Sequence, residues 1–356
     1  MPCMWRTLCL SGFKQRRREI SEECEVKGEE KKPLTLHASL KQKVKCNIMF
    51  NQTQKRYNQY SEHLKQKFGV KVYKVTLDAG FSCPNRDGTI SSGGCIFCDD
   101  SGSFSQAHSN LLSIEEQIET GIETLSNRFK AKKFMSYFQA YSNTYKPVRE
   151  LEKIYKSSLK HPDIVGISIG TRPDCVDSEK LILISDFKDN YYTWIEYGLQ
   201  SIHDKTLKAI NRGHDFDCFL RAYEKGVNAG INICVHVILG LPGESRDDML
   251  KTAEKLAELK VDGVKIHMLC ALEGTKLSEL YNEGSISFMS EEDYIQTVCD
   301  FLEILPKTTT IHRLAGNGLS KDLIAPLWLN KKFDCLNKID RELERRNSWQ
   351  GNKNCL

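Results

Sequence analysis

Apolar residues recur along this chain in two alternating rhythms between about residues 72 and 282. Short runs rich in β-branched and aromatic residues read as strands at 72–79, 134–141, 164–170, 192–199, 231–239 and 263–269. Segments of helical spacing stand between and after them, at 114–130, 148–159, 178–184, 204–229, 246–259 and 275–282. The first of these helices has Ser113 as its cap and Glu116 three residues on, a capping box. The run INICVHVIL, 231–239, has the continuous apolar character of a strand in a parallel sheet. Six strand–helix units with short links predict an α/β chain with a parallel sheet, either open and doubly wound or curved into a barrel. In such barrels chemistry gathers at the C-terminal ends of the strands. Beyond residue 285 the rhythm changes to a helix at 291–305, a strand at 309–314 and a charged helix at 331–346. We read 51–305 as the core and 306–356 as a C-terminal α/β extension packed on it.

Residues 1–50 have another texture, rich in Lys, Arg and Glu as in EECEVKGEEKK, and read as a mostly disordered leader. Met49 stands just before the patterned region and is a second candidate start. A formal net charge of +4 over 356 residues does not by itself announce a nucleic-acid binder. The first apolar run is very short and its charges follow it, the reverse of an export signal, and no run has the length to span a bilayer. Fourteen cysteines are the compositional outlier. Several, such as Cys234 and Cys299, sit in apolar segments, where a reduced thiol behaves as a small hydrophobe, so we expect a reducing cytoplasm.

Cys83, Cys95 and Cys98 fall in FSCPNRDGTISSGGCIFC, just after the first strand, and no fourth cysteine follows until Cys175. Thiolates select zinc, copper(I) or iron–sulfur clusters. Closed structural sites use four protein ligands, whereas three leave a position open for chemistry. Three cysteines in one loop therefore suggest a [4Fe–4S] cluster with one iron free for a ligand. The competing reading is a structural zinc site completed by Asp99 or His108.

These residues resemble the radical S-adenosylmethionine (SAM) superfamily, with Cys83, Cys95 and Cys98 forming a C-x11-C-x2-C version of its cluster loop and Phe97 as the aromatic before the last cysteine. The resemblance implies a partial (βα)6 TIM-like barrel and three thiolates holding the cluster. SAM would bind the open iron, and its one-electron cleavage would give a 5′-deoxyadenosyl radical. YGLQS (197–201) and LKAINRG (207–213) are similar to the fourth strand and following helix, which implies SAM contacts at Gln200 and Arg212 with Glu196 nearby. LGLPGE (239–244) resembles the turn beneath the adenine, placing Gly240 there. FQAYSNTY (138–145) stands where the family's glycine-rich motif holds the SAM amino group, which implies Gln139 and Asn143.

More narrowly, the words RYNQYSEHLKQKFG, LDAGFSCPNRDGT, GGCIFC, GTRPD, IHRLAGNG, LIAPLW and LERRNSWQG, in this order, resemble the bacterial YhcC/YtqA family, related to the elongator catalytic subunit. That resemblance implies tRNA modification at the wobble uridine, 5-carboxymethylaminomethyl becoming 5-aminomethyl, with an electron donor such as flavodoxin or ferredoxin and no membrane. Cys270 and Asn317 depart from the family pattern, which usually has a histidine and an aspartate there. Two other functions compete: a radical enzyme acting on a small metabolite, and a non-catalytic zinc-containing RNA-binding module. His236 and His267 read first as satisfied core histidines, with His267 kept as a pocket candidate, and Cys270 as a buried thiol. The basic stripe of 331–346 reads either as a solvated face or as a phosphate contact.

Overall fold

The computed structural model describes residues 55–99, 112–316 and 322–354, all within one compact unit, Phe50–Leu356. The leader 1–50, Met49, His108 and Asn317 lie outside the described residues. The chain runs α1 (Tyr60–Phe68), β1 (Val72–Leu77), α2 (Ile114–Phe129), β2 (Lys133–Phe138), α3 (Val148–Ser158), β3 (Ile164–Thr171), α4 (Ser178–Asp186) and β4 (Tyr192–Gln200). It continues through α5 (Asp204–Ala209), α6 (Phe216–Asn228), β5 (Asn232–Leu239), α7 (Arg246–Leu259), β6 (Gly263–Met268), β7 (Ala271–Leu272) and α8 (Lys276–Asn282). It closes with α9 (Glu291–Ile304), β8 (Thr310–Arg313), β9 (Leu323–Ala325) and α10 (Lys332–Arg345).

The main sheet has seven parallel strands in the order β1-β2-β3-β4-β5-β6-β8. Each strand adds to the same edge, and right-handed crossovers then put the helices on one face, so the sheet curls into a half-barrel with an inner lumen. Side chains alternate across a strand, and the sequence obeys that period closely. On β4, Ile195, Tyr197 and Leu199 point into the main apolar core beneath the helices, while Trp194, Glu196, Gly198 and Gln200 form the alternate set. On β5, Ile233, Val235, Val237 and Leu239 face that core, and Cys234 and His236 face the other way. The outer face carries the stability, and the inner face is left to chemistry.

Three elements differ from the pattern read along the chain. Strand 309–314 is the seventh strand of the same sheet, since Gly263 and Val264 of β6 pair with Thr310 and Ile311. The helical run 204–229 breaks into α5 and α6, because Asn211 (φ 53°) and Gly213 (φ 78°) adopt left-handed backbone that ends α5. The helix α1 lies before the region of alternating strands and helices and adds an element to it. Its Tyr60 and Leu64 pack with Met135, Trp194 and Cys234, early residues of the strands, and so plug the lower end of the lumen. Just before it, Ile311 N–H donates to the Asn58 carbonyl at 2.7 Å, which ties α1 to the β8 edge.

Several cations of the basic stripe of α10 pair with carboxylates of the same chain. Lys338 pairs with Glu291, Arg345 with Glu342, and Arg346 with Glu342, Asp300 and Glu303. Of these, the pairs to Glu291, Asp300 and Glu303 tie α10 and its end to α9, against which α10 packs through Cys335, Ile339 and Leu343.

Close strand approach gives a stability test. A Cβ on Gly166 of β3 would stand 2.4 Å from the Tyr192 carbonyl oxygen of β4 and 3.1 Å from Met135 Cε. Backbone cannot yield as a side chain can, so Gly166→Ala should destabilise the fold by about 1–3 kcal/mol. A lowered thermal unfolding midpoint checks this, and an unchanged one would show that β3 and β4 tolerate wider spacing.

Candidate active site

The cysteine loop leaves the C-terminal end of β1, as the barrel rule expects. The eleven residues between Cys83 and Cys95 fold back on themselves, which is how so long a spacing still returns Cys95 to the site. The Cys83 carbonyl accepts from Arg86 N–H (2.8 Å) and Asp87 N–H (3.1 Å), and the Pro84 carbonyl accepts from Ile90 N–H (2.8 Å). Asp87 bridges to Ser92, and Gly94 N–H donates to the Asn85 carbonyl at 2.9 Å. Gly93 and Gly94 both have φ near 80°, the left-handed turn that delivers Cys95. Cys98 N–H then donates to the Cys95 carbonyl at 2.9 Å, and the Arg86 guanidinium reaches the Asp99 carbonyl at 2.8 Å.

The turn after α5 pins this loop. Asn211 Nδ2 donates to the Gly94 carbonyl (2.7 Å) and to Ser91 Oγ (3.2 Å), while Ile96 N–H donates to the Ile210 carbonyl (3.1 Å). Asn85 Nδ2 donates to the Asn211 carbonyl at 2.6 Å and approaches Cys95 Sγ at 3.7 Å. Arg212 donates to Cys95 Sγ at 3.5 Å and, through Nε, to the Gly198 carbonyl at 3.2 Å. A Cβ on Gly198 would lie 2.7 Å from Arg212 Nη2 and 2.9 Å from Gln200 Nε2, so a side chain there would shift both of these groups. Arg212, expected at SAM, is thus a direct brace on Cys95.

Among the described residues, the group of three candidate ligand atoms that converge within 4.8 Å is Glu196, Cys234 and His236, and the three loop cysteines do not form such a group. One zinc with bonds of about 2.3 Å needs sulfurs about 3.8 Å apart, a tighter set than this loop presents. Thiols on separate irons of a cluster need no such convergence. Burial pushes the Cys98 thiol up to about 11, so metal binding there must release a proton.

Around the loop stands a ring of buried polar atoms without partners: Asn85 Oδ1, Asn143 Oδ1, Arg172 Nη1, Gln200 Oε1 and His214 Nε2. Asn143 is fixed by Nδ2 on the Gly170 carbonyl (2.7 Å) and by Tyr155 Oη on its own carbonyl (2.5 Å), which leaves Oδ1 open. Gln200, at the end of β4, has φ 78°, a costly conformation for a non-glycine residue and frequent at functional sites. Arg172 is held by Asp174 through bonds of 2.9 and 2.6 Å, and a Cβ on Gly213 would meet both Asn85 Oδ1 and Arg172 Nη2. GTRPD contained Arg172, but an arginine before Pro173 gives no sign in the sequence that its fork turns inward. A buried polar atom without a partner is costly, so such a ring fits a polar ligand with both donors and acceptors.

The remaining expected residues separate. Phe97 packs with Leu207, Ile210, Ile238 and Leu241 in a satellite apolar cluster. Gly240 (φ 82°) lines a cavity of about 380 Å³ with Leu241, Met249, Phe288 and Met289, and its N–H meets Met249 Sδ at 3.2 Å. Gln139 lines a different cavity, of about 430 Å³, at the open seam between β1 and β8. Cys270 is half-buried and packs on the main core.

Glu196, expected near the SAM contacts, lies deeper along its strand. It stands four residues before the end of β4, about 13 Å along the strand from Gln200. Its fully buried carboxylate takes Lys74 Nζ (2.5 Å), Ser168 Oγ (2.5 Å), His236 Nε2 (2.7 Å) and Lys265 Nζ (3.1 Å). Burial alone would raise this carboxyl, but the charges of Lys265 and Lys74 hold it well below the usual carboxylate range. Burial lowers His236 to about 4, leaving it neutral at pH 7. The lysines already fill the carboxylate, so a cation at Glu196, Cys234 and His236 would have to displace two ammonium groups. Period-two alternation could have placed Glu196, Lys265 and His236 on one face, but not brought them together.

Comparison with known proteins agrees with this geometry. The Radical SAM superfamily profile matches residues 87–256, starting inside the loop excursion, and the Radical_SAM C-terminal domain matches 261–345. YtqA of Bacillus subtilis (strain 168) is 42% identical over 302 residues, 85% of this chain and 94% of that protein. A tRNA uridine(34) acetyltransferase of Methanocaldococcus infernus is 30% identical over 173 residues, 48% of this chain and 31% of that protein. The archaeal Methanocaldococcus infernus Elp3 with N-terminus deletion (1-46) shares the fold, with a TM-score of 0.59 at 18% identity over 78% of this chain and 64% of that one. No described helix is long and apolar enough to cross a membrane. With nearly the whole length of YtqA matched and both profiles in place, the chain belongs to the radical SAM superfamily, whose enzymes use a [4Fe–4S] cluster and S-adenosylmethionine.

Proposed function

We propose that this radical SAM enzyme acts on tRNA, converting 5-carboxymethylaminomethyl at a wobble uridine into 5-aminomethyl. The observation that carries the reading is the polar cavity of about 430 Å³ at the seam between β1 and β8, lined by Lys74, Tyr137, Gln139 and Arg313, a space suited to a polar base splayed from a folded RNA. The partial match to an enzyme named for tRNA uridine 34 supports the same substrate class.

In this reading Cys83, Cys95 and Cys98 hold the cluster, and Arg212 steadies Cys95 through its sulfur. Asn143 Oδ1 and Gln200 Oε1, both open acceptors, receive the SAM amino and ribose hydroxyl groups. Arg172, with an open donor beside the loop, takes the SAM carboxylate in place of Arg212, whose guanidinium is engaged. Phe97 and the cavity at Gly240 flank the adenine end. When bound, the cluster and SAM supply the one-electron cleavage that makes hydrogen abstraction from the substrate feasible. The protein contributes position, and a low-potential donor such as flavodoxin or ferredoxin supplies the electron.

Anaerobic reconstitution with iron and sulfide, followed by SAM and a reductant, should yield 5′-deoxyadenosine. Cys83→Ala, Cys95→Ala and Cys98→Ala should each abolish it and lower bound iron; a variant with full iron and product is not a ligand mutant. Arg172→Lys should raise the KM for SAM by about tenfold with iron content intact, since a lysine cannot reproduce the fork. Arg212→Lys should instead reduce cluster retention, and equal effects at both positions would count against the division of roles. For the substrate, nucleosides from treated tRNA are measured by mass spectrometry, where carboxymethylaminomethyluridine should fall as aminomethyluridine rises. SAM cleavage without any change in tRNA nucleosides would move the enzyme to a small metabolite.

A further inference from the structure

On the inner face of β5, the two nitrogens of one imidazole stand in different surroundings. His236 Nε2 lies 2.7 Å from Glu196 Oε2. Lys74 and Lys265 keep that carboxylate ionised, so it can only accept and Nε2 must carry the hydrogen. The other nitrogen, Nδ1, is then a bare lone pair, and it has no hydrogen-bond partner among the described residues. It is not sealed in the interior either, and the His236 side chain is 17% exposed. The outer face of β5 packs beneath the helices through Ile233, Val235, Val237 and Leu239, so this opening is toward the lumen.

The opening lies close to the cysteine loop. His236 pairs in register with Gly198 of β4, whose carbonyl receives Arg212, the brace on Cys95. Beside it stands His267 of β6, the ring centroids 5.5 Å apart and tilted by 42°, with Nε2 buried and unpartnered. Arg313 of β8 acts on both rings. It comes level with Lys265 through a bulge, since Val264 pairs with Ile311 but Lys265 with Arg313. Burial first, and then the charges of Lys265 and Arg313, keep both imidazoles neutral. A neutral ring with one nitrogen tied to a carboxylate is a fixed acceptor at the other.

We propose that His236 is the substrate-facing acceptor of the lumen, its Nδ1 taking a hydrogen bond from an N–H of the substrate. Glu196 acts through it as the positioning residue that fixes the tautomer. The identity of the donor, the amine nitrogen of the carboxymethylaminomethyl arm, rests on the tRNA reading; the preference for an N–H does not. Holding that nitrogen fixes the methylene groups on either side of it against the site of hydrogen abstraction. A site built to bond an N–H rejects the analogue that lacks it, because the acceptor is then left unpaired.

The test is calorimetric titration of the reconstituted full-length enzyme, with SAM present and reductant withheld. One pair of probes is an anticodon stem-loop carrying 5-carboxymethylaminomethyluridine and the same stem-loop with oxygen in place of the amine. The other pair is N-methylglycine and methoxyacetate. The amine stem-loop should bind about tenfold more tightly than the ether, the size expected of one good hydrogen bond to a desolvated group. His236→Phe should bring the amine down to the affinity of the ether and leave the ether unchanged. Glu196 keeps Lys74, Ser168 and Lys265 in that variant, and iron content and thermal midpoint show that it is folded. His236→Asn, whose amide oxygen can stand near the place of Nδ1, should restore part of the preference. Equal binding of amine and ether by the unaltered enzyme overturns the acceptor, as does an amine preference that survives in His236→Phe. An equal loss of both ligands also overturns it, in favour of a purely structural histidine. If N-methylglycine is preferred through His236 while the stem-loops do not bind and tRNA is not modified, the acceptor stands and the wobble-uridine reading falls. If tRNA is converted while neither pair shows a preference that depends on His236, the reading stands and the acceptor falls.

Discussion

One buried carboxylate organises the half-barrel. Glu196 of β4 receives Lys74 of β1, Ser168 of β3, His236 of β5 and Lys265 of β6, and Lys265 also meets Tyr137 of β2 at 2.5 Å. Six strands are thus tied at one point inside the curl. Such a network is poor evidence for net stability, because desolvating its charges offsets most of their attraction. Breaking it is another matter, since removing one partner of a buried pair costs about 3–5 kcal/mol. The network therefore fixes the curvature and register of the sheet more than it deepens the fold. A flatter sheet would pull the lysines from the carboxylate and leave charges stranded.

Everything functional sits relative to that knot. Below it, Tyr60 and Leu64 of α1 pack with Trp194, Met135 and Cys234 as an apolar plug at the lower end. Above it, the strands end in Gln200, the Asn143 turn and the cysteine loop. Polarity thus rises from the plugged end to the mouth. The outer face needs no such gradation, and there aliphatic and aromatic residues simply pack beneath the helices.

The cysteine loop shows how a long insertion can remain a precise site. A free loop of that length would hold its ends loosely, and ordering each residue costs about 1–2 kcal/mol. Here the excursion closes on itself through Cys83, Pro84 and Asn85 carbonyls, and Asn211 and Arg212 then lock it to the β4 side. The word INRG is therefore part of the metal site's scaffold as much as of a cofactor pocket. Its left-handed Asn211 and Gly213 break what would otherwise be one helix, and the break is what lets the two side chains on either side reach the loop.

The sequence by itself determined the alternation of strands and helices, the capping box at Ser113, and the loop of three cysteines at the end of the first strand. Those features are local: a period of two or four, a cap three residues from its partner, a spacing between thiols. Only the tertiary structure decided that Glu196 belongs to the lumen knot, that Arg212 braces Cys95, and that Arg172 turns an open donor toward the loop. It also decided that the late strand β8 completes the sheet and, through its bulge, brings Arg313 to the seam. Each of these joins residues far apart in the chain, and which carboxylate a lysine meets depends on the curl of the sheet, which no local pattern records.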